Sequence, residues 1–226
     1  VTGASSLPLL VDADTGWGNA FMINKAITEL ARAGAAGVHI EDQVQAKRCG
    51  HRPNKEVVSL GEMVDRVTAA VDAKPDPDFV VMARIDALAV EGMDSALDRA
   101  RAVEAAGADM LFPEAMPNLD DYRQFTDAVD IPVLANLTEF GLTPAFTTEE
   151  LASVDVAIAL YPLSAFRAMN AAALSVFKTI RSEGTQASAI PAMQTRDEYY
   201  EFLNYREFEE KIDSLFAAGS REGNVQ

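Results

Sequence analysis

Short runs that are apolar almost without interruption alternate along the chain with longer stretches where apolar residues return every three or four positions. The short runs are LPLLVDAD (7–14), GVHIED (37–42), FVVMARID (79–86), MLFPEA (110–115), PVLANLT (132–138) and VAIALYP (156–162). Cores such as PLLV and FVVM suit parallel strands that are covered on both faces. The Ala-rich amphipathic segments between them, 21–34, 60–73, 93–106, 119–128, 147–153 and 164–182, predict helices. ARAGAAGVHI and VEAAGADMLF repeat one phrase of helix, glycine stop, short turn and strand. A β-then-α rhythm of this kind predicts a parallel sheet, open or closed.

The polar positions favour closure. Most strands end in a polar pair spaced i, i+2 around an apolar residue: Asp12/Asp14, His39/Glu41, Arg84/Asp86 and Asn136/Thr138, with Phe112/Glu114 a half-match. Residues i and i+2 of a strand share a face. Polar strand ends would therefore converge on one site, as at the C-terminal face of a (β/α)8 TIM-type barrel. A doubly wound sheet gathers its ligand groups at a switch point instead. Six βα units are visible where a barrel has eight, so two units, roughly 60–80 residues at typical barrel size, are expected to precede Val1. The barrel domain is drawn at 1–182 and a C-terminal helical extension at 183–219. In the extension, REFEEKIDSLFAAG predicts a helix at 206–217 with Phe208, Ile212, Leu215 and Phe216 on one side. That side is expected to dock on its own barrel or on a neighbouring subunit, and the tail 220–226 to be disordered.

Composition narrows the partners. A formal charge of −16, from 19 Lys+Arg against 35 Asp+Glu, leaves no basic stretch for nucleic acid or an anionic membrane. The chain shows no apolar run of about 18 residues for a membrane span and no signal-peptide pattern at its start. A single cysteine fits a reducing compartment. The expectation is a soluble cytoplasmic protein.

Three groups of residues could carry chemistry. Asp12 and Asp14, with Glu41 from the next strand, would place carboxylates at the mouth that need a cation between them. Mg²⁺ is held in this way by one or two carboxylates plus waters and substrate oxygens, although the aspartates could equally cap the helix that follows. TGWGNA (15–20) has Gly-x-Gly but lacks the third fingerprint glycine and a Walker lysine, and reads as a tight turn. EDQVQAKRCGH (41–51) gathers Lys47, Arg48, Gly50 and His51 around Cys49. Neighbouring cations favour a thiolate, so Cys49 is a nucleophile, a general acid or an incidental loop cysteine, and the glycine and cations suit a mobile lid over an anionic substrate. Arg84 needs a carboxylate, either from Asp86 or Glu114 or from a substrate. Asn136 and Thr138 could hydrogen-bond a polyoxygenated ligand or cap a turn. Arg167 could start a helix or close on a carboxylate, and the rest of FRAMNAAALSVF reads as a core-facing helix.

KRCGH (47–51), preceded by HIEDQ (39–43) and VDADTGWG (11–18), resembles the isocitrate lyase / phosphoenolpyruvate mutase superfamily. MARIDALAVEG, MLFPEA, LANLTEFG and ALYPLSAFRAMN extend the likeness from about Leu7 to Ala217. The resemblance implies a barrel with two further βα units upstream, and a homotetramer whose C-terminal helices exchange between subunits. It implies a Mg²⁺ site, with Mn²⁺ as a substitute, at Asp12 and Asp14, and Glu41 as a carboxylate on the metal or its water. Cys49 would be the catalytic acid on the lid, flanked by Lys47, Arg48, Gly50 and His51. Arg84, Glu114, Asn136, Thr138 and Arg167 would bind a small di- or tricarboxylate, and Phe112 and Leu160 would leave room for an extra methyl group. Isocitrate lyases usually carry Lys-Lys-Cys-Gly-His and a Ser/Pro-rich later segment, where this chain has Arg48 and NLTEFG. The implied reaction is retro-aldol (Claisen-type) cleavage of a methyl-branched 2-hydroxytricarboxylate to pyruvate and succinate. Cleavage of isocitrate or 2,3-dimethylmalate, decarboxylation of oxaloacetate, and a non-catalytic binding subunit are the alternatives.

Overall fold

Residue alternation along the strands builds the sheet. On β3 (Val80–Ile85), Val81, Ala83 and Ile85 face the helices, while Val80, Met82 and Arg84 face the opposite way. The computed structural model describes residues 1–222, with side chains through residue 217. It divides into two compact units, 1–164 and 165–226.

The first unit holds six parallel strands: β1 (Leu10–Asp12), β2 (Gly37–Glu41), β3, β4 (Met110–Pro113), β5 (Val133–Asn136) and β6 (Val156–Leu160). They lie in chain order, β1 to β6. A doubly wound sheet would reverse direction at a switch point, whereas consecutive barrel strands run on without reversal. Leu10 of β1 and Ile158 of β6 line one apolar cavity together with Val80, Met82 and Met110, so the sheet is curled. The concave face is apolar at depth, with Met82, Phe112 and Leu134 backed by Ile158 and Leu160. His39, Glu41, Arg84 and Asn136 follow at its C-terminal rim, in the alternation expected of their strands.

Helices α1 (Ala20–Arg32), α2 (Leu60–Asp72), α4 (Met93–Ala105), α5 (Leu119–Thr126) and α6 (Thr148–Ala152) connect the strands. A short helix, α3 (Leu88–Glu91), is one that the apolar periodicity does not show. Asn19 caps α1 by accepting from the Phe21 and Met22 N–H groups, and Thr147 forms a capping box with Glu150; such caps are each worth about 1 kcal/mol. The two repeated glycine stops, Gly34 and Gly107, have φ of +91° and +97°, which a side chain would disfavour. Strand β1 is shorter than its apolar run. The backbone turns to φ +51° at Asp14, whose N–H donates to Asp12 Oδ1 at 2.8 Å, and this ends the strand.

The second unit contains the remainder of α7 (Ser164–Glu183), a 3₁₀ turn at Ala187–Ala192, α8 (Arg196–Leu203) and α9 (Tyr205–Glu222). Its boundary falls after the first residue of α7, between residues 164 and 165, rather than at 182/183. Two sequence expectations change here. α7 has no buried residue, with Phe166, Met169 and Phe177 all more than half exposed, so it is not the core-facing helix its pattern suggests. Phe208, Leu215 and Phe216 of α9 are likewise more than half exposed, and Ile212 is 49% exposed. Apolar periodicity identifies a face that seeks cover but not the surface that covers it. Helix α9 runs to Glu222, through the first part of the tail expected to be disordered, and 223–226 lie outside the described residues. Among the described residues no helix is long and apolar enough to cross a membrane.

Candidate active site at the carboxyl ends of the strands

Strand register sets which side chains meet. Asp12 pairs with His39, Glu41 with Arg84, Arg84 with Phe112, and Asn136 with Leu160. Arg84 is the hub. Its Nε donates to Asp86 Oδ2 at 2.9 Å, Nη1 lies 3.5 Å from Glu41 Oε2, and Nη2 lies 3.3 Å from Glu114 Oε1. The guanidinium also stands 5.1 Å over the Phe112 ring, a cation–π distance. Of the two readings of Arg84, the structure shows the protein's own carboxylates as its partners. Burial opposes its charge, but Glu114, Asp86 and Glu41 outweigh that and hold it firmly protonated.

Lys47 is a second hub. Its ammonium bonds to the Asp14 carboxylate, lies 3.3 Å from Glu41 Oε2 and 3.9 Å from Asp12 Oδ2. Burial pushes the Asp14 pKa up, but the hydrogen bonds from Lys47 and Trp17 more than offset it and leave the carboxyl below its ordinary range. Glu41 is fully buried, and burial lifts its pKa to about 7 against the opposing charges of Arg84 and Lys47. Its Oε1 has no hydrogen-bond partner.

The charges around these hubs do not balance. Five carboxylates (Asp12, Asp14, Glu41, Asp86 and Glu114) face three fixed cations, Lys47, Lys55 and Arg84. A cation bound there would offset the surplus. Asp12, Asp14 and Glu41 converge on the position that the Lys47 ammonium occupies, and hard oxygen donors around an orphaned buried Oε1 suit Mg²⁺. Among the described residues no three His, Cys, Asp or Glu side chains stand close enough to ligate one ion directly. The capping role that the aspartates could have served falls to Asn19.

A cavity of about 260 Å³ adjoins the hubs and is lined by Lys47, Arg48, Cys49, Gly50, His51, Arg84, Glu114, Asn136 and Thr138, with Pro162 and Leu163. Nine of the residues singled out from the sequence thus meet at one opening. Cys49 is exposed on its rim. Gly50 is pressed against the floor, where a Cβ would collide with the Glu114 carboxylate and Arg84. His51 accepts the Leu142 N–H at Nδ1 (2.9 Å) and directs Nε2 at Glu114 Oε1, 3.3 Å away. With Nδ1 an acceptor the ring is the neutral Nε2–H tautomer, and burial keeps its pKa below the usual value despite Glu114. Asn136 Nδ2 donates to Glu114 Oε2 at 3.2 Å, leaving its buried Oδ1 unpartnered. Phe112 and Leu160 lie in the apolar cluster beneath this rim. Arg167 is on α7, in the second unit.

Several contributors had little or no signal in the sequence. Trp17 Nε1 donates to Asp14 Oδ2 at 2.9 Å. Arg66, one of two buried helix arginines among the described residues, donates to the Glu41 and Gln43 carbonyls at 3.0 and 2.8 Å. Asp42 is fully buried, accepting from the Asp86 N–H at 2.8 Å and pairing with Arg99 at 3.3 Å. Burial dominates and lifts the Asp42 pKa to about 6. The fold therefore holds a proton that an unfolded chain, with a carboxyl near 3.9, has already released. Stability from this group is present below that window and is lost as pH rises through it. Asp42→Asn, uncharged throughout, is expected to gain on wild type by about 2 kcal/mol between about pH 4.5 and 7.5. Urea unfolding at both pH values measures this, and a pH-independent difference would show that Asp42 is ionised in the fold throughout.

The chain's similarities agree with this geometry. Residues 1–181 match the family model described as phosphoenolpyruvate phosphomutase. The 2-methylisocitrate lyase of Escherichia coli (strain K12) is 65% identical over 218 residues, covering 96% of this chain and 74% of that protein. A crystal structure of 2,3-dimethylmalate lyase superposes with a TM-score of 0.82 at 32% identity, over 98% of this chain and 73% of the other. The complex of phosphonopyruvate hydrolase with oxalate and Mg²⁺ gives 0.79 at 30%, over 95% and 74%.

Proposed function

The chain belongs to the phosphoenolpyruvate phosphomutase family, within the isocitrate lyase superfamily, and on that premise we propose that it cleaves 2-methylisocitrate to pyruvate and succinate. The observation that carries this is Cys49 on the rim of a cavity lined by Arg84, Glu114, Asn136 and Thr138. The 65% identical relative is named for this reaction. The Mg²⁺ and oxalate bound in phosphonopyruvate hydrolase supply a precedent for the metal and an oxo-acid fragment together.

In this reading Asp12 and Asp14 would hold Mg²⁺, or Mn²⁺ in its place, with Glu41 as the third carboxylate beside them. The bound ion supplies Lewis-acid stabilisation to the substrate's 2-hydroxy-carboxylate oxygens. Lys47 pairs with Glu41 at 3.3 Å. Asn136 and Thr138 bind the remaining carboxylates beside Glu114, with Arg84 keeping the acidic floor neutral enough to admit them. The substrate hydroxyl loses its proton to a base, its C–O becomes the carbonyl of pyruvate, and the C–C pair passes to the succinate carbon. Cys49 protonates that carbon. Phe112 and Leu160, in the apolar cluster beneath the rim, make room for the extra methyl group. The same reading makes the curled sheet part of an eight-stranded barrel. It also makes the protein a cytoplasmic homotetramer whose uncovered α7 and α9 faces are shared between subunits.

The test offers 2-methylisocitrate and isocitrate in parallel, with Mg²⁺ and with EDTA, and identifies products by proton NMR. Metal-dependent pyruvate and succinate, with little glyoxylate from isocitrate, is the expected result. Preferred release of glyoxylate would make the protein an isocitrate lyase. No cleavage of either would remove the lyase assignment.

A further inference from the structure

Two buried side chains outside the KRCGH motif grip the backbone on either side of Cys49. Gln43, 1% exposed, uses both ends of its amide on one residue: Nε2 donates to the Arg48 carbonyl and Oε1 accepts the Arg48 N–H, each at 2.9 Å. Lys55, 6% exposed, donates to the Gly50 carbonyl at 2.5 Å and to Asp86 Oδ1 at 3.0 Å. Cys49, between these two grips, is itself exposed.

The rest of the loop shows what the grips add. Residues 44–56 leave and rejoin the fold at one neck, where the Val44 N–H donates to the Glu56 carbonyl at 3.0 Å and the Val58 N–H to the Asp42 carbonyl at 2.8 Å. The neck closes the loop but does not fix its tip. Packing alone would be served by apolar side chains at 43 and 55, because burying an amide or an ammonium is unfavourable unless it is hydrogen-bonded. Here hydrogen bonds go to backbone groups of the two residues flanking Cys49. Lys55 also shares Asp86 with Arg84, so the tip and the charged floor are held by one network. Gly50 completes the fit, since only a residue without a Cβ can lie this close to Glu114 and Arg84.

We propose that Gln43 and Lys55 are positioning residues for Cys49, setting where its thiol stands over the cavity. This deepens the lyase reading above and rests on it. Both act through the backbone and neither touches substrate. A misplacement of about 1 Å costs on the order of 10²-fold in rate, which is the loss expected in kcat for Lys55→Met, with a smaller change in KM from the lost charge on Asp86. In a Cys49→Ala background the same change should cost little more, because the group it positions is gone.

Hydrogen exchange by mass spectrometry on the whole protein supplies a readout that does not depend on activity. Residues 44–52 should exchange at least about tenfold faster in Lys55→Met while the sheet is unchanged. Should that variant melt far below wild type, Gln43→Met tests the same grip from the Arg48 side with the same expected pattern. Unchanged exchange at 44–52, near-wild-type kcat, or an undiminished loss on top of Cys49→Ala would each overturn the proposal. If wild type cleaves neither substrate, the lyase reading fails, and the exchange result alone decides whether the grips hold the loop.

Discussion

Cys49→Ala is expected to lose roughly 10²–10⁴ of kcat, the range for removing a general acid from a reaction that needs one. It should bind substrate nearly as well and melt with wild type. The thiol is exposed, and substitutions at such positions usually stay within about 0.5 kcal/mol. Cys49→Ser keeps the size and the hydrogen bond but offers a much weaker acid, so it should resemble the alanine variant. Either variant turning over at near the wild-type rate would remove the proton-donor role. Because the chain has one cysteine, alkylation before assay should reproduce the variant, and 2-methylisocitrate should slow that alkylation if the thiol borders the bound substrate.

The residues at the rim were legible in the sequence because strand alternation is a strong rule. Once GVHIED and FVVMARID are read as strands, His39, Glu41 and Arg84 must share a face, and the structure puts them there. Lys47, Cys49, Gly50 and His51 were legible as a cluster because they are contiguous. What stayed hidden depends on tertiary contacts that no spacing encodes. Lys55 reads as one more loop cation until its ammonium is seen between Gly50 and Asp86. Arg66 and Arg99 sit in helices whose pattern marks them as polar, yet both are buried beneath the site. Asp14 reached the mouth by a left-handed turn rather than by the strand alternation that predicted it.

The apolar faces show the opposite failure. The pattern on α7 and α9 is amphipathic like that on α1, but α1 buries Ile23 and Ile27 while α7 has no buried residue. Period alone cannot separate a helix covered by its own sheet from one whose cover lies elsewhere. The loop cations carry a similar lesson. Proximity in sequence to Cys49 suggested that Lys47 and His51 serve the thiol, yet Lys47 is engaged by Asp14 and Glu41, and His51 by Leu142 and Glu114.

Arg84→Met should produce the largest loss of stability, about 3–5 kcal/mol at pH 8, the cost of breaking a buried ion pair by removing one partner. Methionine fills much of the volume and can lie on Phe112, so the loss isolates charge. Without the guanidinium, Glu41, Asp86 and Glu114 face one another with Lys55 and Lys47 as their remaining cations. The sign of the pH dependence follows. Glu41 already titrates near 7 with Arg84 beside it, and Arg84 is the largest influence lowering it. In the variant that carboxyl should bind its proton more tightly still, so at pH 5 the fold carries less uncompensated charge and the destabilisation should shrink. Arg84→Lys should recover only part of the loss, because an ammonium cannot place three nitrogens against three carboxylates at fixed angles. Urea unfolding of both variants at pH 5 and pH 8 measures this. A loss below about 1 kcal/mol at pH 8, or one that grows toward pH 5, would show that the carboxylates are neutralised by something other than Arg84. Activity should fall in both variants even where they remain folded, since an acidic floor stripped of its guanidinium repels the substrate whose carboxylates it must admit.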